Sequence, residues 1–238
     1  MKILRVFLLI ATVISLSLMS CSEKKTDTTK DEAQKDSTVK QVVPVEPEVV
    51  IDPEYKTTAS DTIVPGKEHP QYIVSAKQGD YEFGEFVIEL YPEVCPEHYR
   101  NFDSLVAIKF FDGTAIHRVV PNVLIQGGDP NSRKGKEALW GTSDPSQRRV
   151  PAEFNRIRHK VGVVSAARTE DPDGATSQFF ISLCDNPKWD GQFTAFGRVV
   201  EGLDVVTAIS VVQAKPHPNG GEPSLPDKKI TIKVMKKK

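Results

Sequence analysis

The first candidates for chemistry lie in one short stretch. Ile116 to Gly128 reads I-H-R-V-V-P-N-V-L-I-Q-G-G, with Arg118 and Gln126 set among apolar residues around a Pro121-Asn122 turn. A guanidinium beside apolar surface must be paired, extended into water, or used on a ligand. Other chemistries find little support. The five histidines, His69, His98, His117, His159 and His217, show no metal-ligand spacing, so no metal is expected. There is no G-x-S-x-G and no Cys-His signature, which argues against covalent acyl chemistry. Gly127-Gly128 is not followed by the Lys-Ser/Thr of a phosphate loop. Asp171-Pro172-Asp173-Gly174 has its glycine at position 4 rather than 6 and no glutamate at position 12, so it reads as a turn rather than a calcium loop. What remains is a dense set of apolar residues around one arginine and one glutamine, with no cofactor implied.

The elements that hold this stretch are mostly short strands. Tyr72–Val74 and Glu85–Leu90 bracket a Gly79-Asp80 turn, as in a hairpin. Further strands are expected at Ala115–Val120, Val123–Gln126, Val161–Ala166, Gln178–Leu183, Phe193–Val199 and Lys229–Met235. Pro96 to about Ile108 reads as a helix, with proline in its first turn and Tyr99, Phe102, Leu105 and Val106 on one face. Leu203–Ser210 reads as a second. Many short strands with turns between them, plus two helices, imply an all-β barrel or sandwich with helical caps. The roughly 170 residues from His69 to Lys238 are enough for one domain with a sizeable core. Cys95 precedes a helix and Cys184 follows a strand, and two buried, unpaired thiols are the default expectation.

The first 68 residues have a different character. Lys2 and Arg5 precede an apolar run from Val6 to Met19, and no acid occurs before Glu23. Fourteen helical residues fall short of a hydrocarbon core about 30 Å thick, so residues 1–20 read as a signal peptide rather than a membrane span. Leu18-Met19-Ser20-Cys21 resembles a bacterial lipobox, which implies acylation at Cys21 and a lipid anchor in the cell envelope, with the domain in the periplasm or on the outer surface. Residues 22–40 are almost wholly charged or polar, and Val42–Pro53 alternates valine, proline and glutamate. Such a stretch cannot bury enough surface to offset its ordering entropy, so residues 21–68 are expected to form a disordered tether. At random-coil dimensions it would average roughly 40 Å end to end. Without the signal peptide the chain carries 29 bases against 32 acids, and no basic excess points to nucleic acid.

Several ordered motifs complete the reading. Phe111-Asp112-Gly113-Thr114 leads into Ile116-His117-Arg118-Val119-Val120-Pro121 and then Ile125-Gln126-Gly127-Gly128-Asp129-Pro130. Val163–Thr169 (V-V-S-A-A-R-T), Ala175-Thr176-Ser177-Gln178-Phe179-Phe180-Ile181 and Asp190–Val199 (D-G-Q-F-T-A-F-G-R-V) follow. In this order and spacing they resemble the cyclophilin family of peptidyl-prolyl cis–trans isomerases, from about Gln71 to Met235. The resemblance implies a mainly β fold: a closed eight-stranded antiparallel barrel with an α-helix over each end. It implies rotation about X–Pro bonds of polypeptide substrates, by a monomer without cofactor. Arg118, Gln126 and Phe180 match the family's catalytic guanidinium, the glutamine beside the substrate backbone and the ring under the proline. Ala167 falls where the family contacts residues preceding proline. Where the family usually has Phe-Met, this chain has Val123-Leu124, and the usual His or Tyr is Phe193. A tryptophan found in some members is displaced by one position, to Trp189. Losing the aromatic wall at Val123 implies a slower isomerase, or a proline-binding module on the same fold, at a cost of about 1–3 kcal/mol in contact.

Overall fold

Alternation of apolar and polar residues dictates the opening hairpin. In β1 (Gln71–Gln78) Tyr72, Val74 and Ala76 are buried while the residues between them are not. In β2 (Tyr81–Leu90) Phe86, Ile88 and Leu90 face the same core. Gly79 takes the left-handed turn conformation between them, at φ +61°, without the steric cost of a side chain. The computed structural model describes residues 68–142 and 144–238. The expected signal peptide, Cys21 and all but the last residue of the expected tether lie outside these.

The remaining strands are β3 (Ala115–Ile116), β4 (Arg118–Val120), β5 (Leu124–Gly127), β6 (Val163–Ala166), β7 (Phe179–Ser182), β8 (Ala195–Glu201), β9 (Ala214–Lys215), β10 (Leu225–Pro226) and β11 (Ile230–Lys236). The main sheet is antiparallel throughout, in the order β3-β11-β1-β2-β8-β6-β7-β5-β4. Its two ends are the same stretch of chain, because only His117 separates β3 from β4. The sheet therefore closes on itself as a barrel, and counting residues 115–120 as one strand gives the eight expected. The break at His117 costs no pairing, since its N–H still donates to Gln126 O at 3.0 Å. β9 and β10 form a separate two-stranded ribbon, and strands that short carry no readable alternation.

The two expected helices are present as α1 (Pro96–Ala107) and α3 (Leu203–Ser210), and a single-turn α2 (Asn131–Lys134) adds a third. α1 buries Phe102 and Val106. The Phe102 ring meets Tyr72 at 5.3 Å, Phe111 at 4.9 Å, Phe179 at 5.9 Å and Phe196 at 6.0 Å between centroids, which ties the helix to the barrel core. α3 packs against β2, β4 and β5. Among the described residues no helix is long and apolar enough to cross a membrane. Cys95 and Cys184 are not joined to each other. Cys95 is fully buried, whereas Cys184 is only half-buried.

α1 has no side-chain cap from its own N-terminal residue. The loop at Glu153 supplies one from a distance. Its carboxylate accepts from the Glu97 and His98 N–H groups, each at 3.0 Å, and pairs with His98 Nδ1 at 2.7 Å. Burial favours the neutral acid, but these donors outweigh it and hold the carboxyl below its ordinary value of 4.5. The charged form thus stabilises the fold above that pH, and the contribution is lost as pH falls through the depressed value. Glu153→Gln is expected to cost about 1–2 kcal/mol at pH 7 in urea unfolding, with the difference from wild type shrinking as pH falls from 4.5 through the depressed value.

Candidate active site

Strand register builds the site. The β4–β5 hairpin turns at Pro121-Asn122, where Asn122 sits at φ +56°, a conformation asparagine tolerates better than most residues. Arg118 lies directly opposite Gln126. β5 in turn sets Gln126 opposite Phe180, and β6 sets Phe180 opposite Ser165. Directly opposed residues share a face, so Arg118, Gln126, Phe180 and Ser165 form one row on the outside of the barrel. The alternate row, Val119, Ile125, Ile181 and Val164, is fully buried inside it.

Hydrogen bonds link the outer row into a chain. Arg118 Nη1 donates to Gln126 Oε1 at 3.3 Å, Gln126 Nε2 to Gln178 Oε1 at 3.1 Å, and Gln178 Nε2 to Thr142 O at 3.2 Å. The guanidinium is exposed at its end, yet partial burial pulls its pKa below the ordinary arginine value. Next to it is a cavity of about 210 Å³, room for about seven water molecules, lined by Leu124, Ala167, Arg168, Phe180, Trp189 and Phe193 together with Arg118 and Gln126. Seven of the eight expected site residues of the barrel domain thus meet around one cavity. Val123 is the exception: it is half-buried, precedes β5 and is not among the lining residues. The aromatic wall comes instead from Trp189 and Phe193, whose rings stand edge-on to Phe180 at 5.2 and 5.3 Å. A larger hollow of about 550 Å³ on β1, β2 and β11 has no aromatic lining, and both lysines and carboxylates border it.

Sequence reasoning missed what supports this pocket. His159 is completely buried and stacks along Phe180 at 6.0 Å and 14°. Its Nδ1 pairs with Asp190 Oδ1 at 2.9 Å and its Nε2 with the Ser165 hydroxyl at 2.8 Å. Asp190 also accepts from the His159 N–H at 2.7 Å. Burial pushes this carboxyl up, but the His159 donors and Arg158 outweigh it and leave the carboxyl below the ordinary range. Gln178 was within reach of the sequence, since it sits two residues before Phe180 and an extended chain places both on one face. His159 had no such signal, because its partners are 6 and 31 residues away. Among the described residues no cluster of three or more His, Cys, Asp or Glu side chains could hold a metal. His159→Leu would strand the buried Ser165 hydroxyl and take one partner from the half-buried Asp190 carboxylate, which keeps Arg158 and the backbone N–H of residue 159. It is expected to cost about 2–4 kcal/mol in denaturant unfolding and to shift the emission of Trp189.

Comparison with known proteins agrees with this geometry. A family model described as cyclophilin type peptidyl-prolyl cis-trans isomerase/CLD matches residues 73–236. A peptidyl-prolyl cis-trans isomerase of Acinetobacter baylyi is 35% identical over 157 residues, covering 63% of this chain and 80% of that protein. A probable peptidyl-prolyl cis-trans isomerase of Brucella suis is 38% identical over 130 residues, covering 53% of this chain and 66% of that one. Among solved structures, a Cryptosporidium parvum cyclophilin type peptidyl-prolyl cis-trans isomerase superposes with a TM-score of 0.59 at 22% identity, over 72% of this chain and 99% of that one. A second crystal structure of that protein, in the presence of the dipeptide Ala-Pro, gives 0.57 at 23%, over 71% and 99%. The matched model spans all but the first two residues of the barrel, with the row that carries Arg118, Gln126 and Phe180, and this chain belongs to the cyclophilin family of peptidyl-prolyl cis–trans isomerases.

Proposed function

We propose that the protein turns X–Pro bonds of partly folded envelope proteins, with Arg118 as the group that lowers the barrier. The observation that carries this reading is a guanidinium held beside an aromatic-floored cavity the size of a small ring. Rotation about the prolyl amide faces about 18–20 kcal/mol because the nitrogen lone pair is delocalised into the carbonyl. At the twisted transition state that lone pair returns to nitrogen, which becomes a hydrogen-bond acceptor. A donor aimed at it binds the twisted form better than either planar one, and each 1.4 kcal/mol of that difference gives about tenfold in rate. No bond to the substrate is made or broken.

In this reading Phe180, Leu124, Trp189 and Phe193 grip the pyrrolidine ring, and Gln126 and Ala167 meet the backbone before it. Gln126 also restrains Arg118, which reduces the ordering left for the transition state. The Cryptosporidium relative studied with Ala-Pro supports a proline-containing ligand. Arg118→Ala is expected to slow exchange of an Ala-Pro peptide about a hundredfold, measured by line broadening or exchange spectroscopy with the purified protein. Binding with unaltered cis–trans exchange in the wild-type protein would leave a proline-peptide-binding module instead.

The envelope role rests on Leu18–Cys21 and the polar stretch behind it. An acylated Cys21 would hold the protein at a membrane, and the tether would let the barrel reach clients tens of ångströms away. Cys21→Ser is expected to move the protein from the membrane fraction to the soluble one and to abolish acyl mass on the N-terminal peptide. A wild-type chain found soluble and unmodified would remove the anchor from this reading.

A further inference from the structure

The cavity carries charge that prolyl rotation itself does not need. Arg118 and Arg168 both line it, and among the described residues no carboxylate does. Arg168 also borders an adjoining recess with Gly141, Thr176 and Gln178, so it stands between the proline slot and the space beside it. Its guanidinium is fixed in place. Nε donates to Gln192 O at 2.8 Å, and Nη1 donates to Thr169 O at 2.8 Å and to Glu170 O at 3.1 Å. The central carbon lies 5.0 Å from the middle of the Phe193 ring. Every one of these partners is electrically neutral, so they orient the charge without cancelling it. The Nη2 group has no hydrogen bond among the described residues. Of the nearby carboxylates, Asp171 pairs with Arg149 and is drawn to Arg168 only through space, while Asp190 is engaged by His159 and Arg158.

We propose that Arg168 is a specificity-determining residue that selects substrates with a glutamate or aspartate next to the proline. The proposal rests on the isomerase reading and adds to it the kind of sequence the enzyme prefers. A substrate carboxylate beside the proline would meet the Nη2 edge of a guanidinium whose ordering is already complete, and Arg118 across the cavity adds to the field. A substrate lysine at the same place would face two positive charges. The pairing is made equally in the planar and twisted forms, so it lowers KM and leaves kcat alone.

The test uses peptides Ala-X-Pro-Z-Phe with Glu, Ala or Lys at X or at Z, read by exchange spectroscopy on the wild-type protein. The expected result is a kcat/KM about fivefold or more higher for Glu than for Lys at one of the two positions, carried by KM. The preference should fall toward unity in 1 M salt, where screening acts within about 3 Å. Arg168→Gln should bring the Glu-to-Lys ratio most of the way to unity, leaving only the smaller share due to Arg118, and Arg168→Glu should invert it, each ratio being taken within one variant. Equal values for Glu and Lys at both positions, or a Glu preference that Arg168→Gln leaves unchanged, would overturn the proposal. Chemical-shift titrations with the same peptides give the ratio as dissociation constants. They decide the charge question even where the alanine peptide shows no exchange, a result that would count against the isomerase reading alone.

Discussion

Backbone pairing that sets Arg118 against Gln126, and Gln126 against Phe180, places three chemically different side chains on one outer row of the barrel. The pairing is itself enforced from the other side of the sheet. Val119, Ile125, Ile181 and Val164 fill the core on the alternate row, and a one-residue slip in any of these strands would exchange the two sets. Such a slip would drive a guanidinium into the core, where an unpaired charge costs several kcal/mol. The same packing that stabilises the barrel therefore fixes the geometry of the site. Little extra structure is needed to aim Arg118.

The outer row would be a flat surface without a second layer. His159, Trp189 and Phe193 supply it, each against Phe180, and the Asp190–His159–Ser165 chain pins this layer to the sheet. This layer changes the meaning of the valine at 123. A phenylalanine there would have been one wall of a proline slot, but the wall is already present in two rings delivered by the loop after β7. A pocket of this kind depends on its total aromatic surface and can draw that surface from different strands.

Much of the fold was legible because it rests on local patterns. Short apolar runs with turn signals between them located the eight strands of the barrel within a few residues, and proline at the start of an apolar face located α1. The limits were local too. Val161 and Gly162 form a turn before β6, and Phe193 and Thr194 precede β8, since apolar content alone does not reveal where a ladder begins. The core of the site was legible through Arg118, Gln126 and Phe180, whose motifs are contiguous. The parts that escaped notice, Glu153 at the start of α1, His159 under Phe180 and Arg168 over Phe193, depend on contacts between distant segments. Nothing around Glu153 or His159 distinguishes them from ordinary surface or core residues, and the motif that holds Arg168 does not reveal that its guanidinium reaches the Phe193 ring.

The stretch from Ala115 to Val120 that closes the barrel has a consequence for the order of assembly. β11, near the C-terminus, must lie between β1 and β3 before the sheet can meet itself. Those partners are separated from it by more than a hundred residues, so closure is a late, high-contact-order event. A chain still emerging from a ribosome would leave Ala115 and Ile116 on an open edge until Ile230 and Thr231 pair with them. The hairpin that carries Arg118, two residues beyond Ile116, would thus be anchored in a closed barrel only after β11 has been delivered.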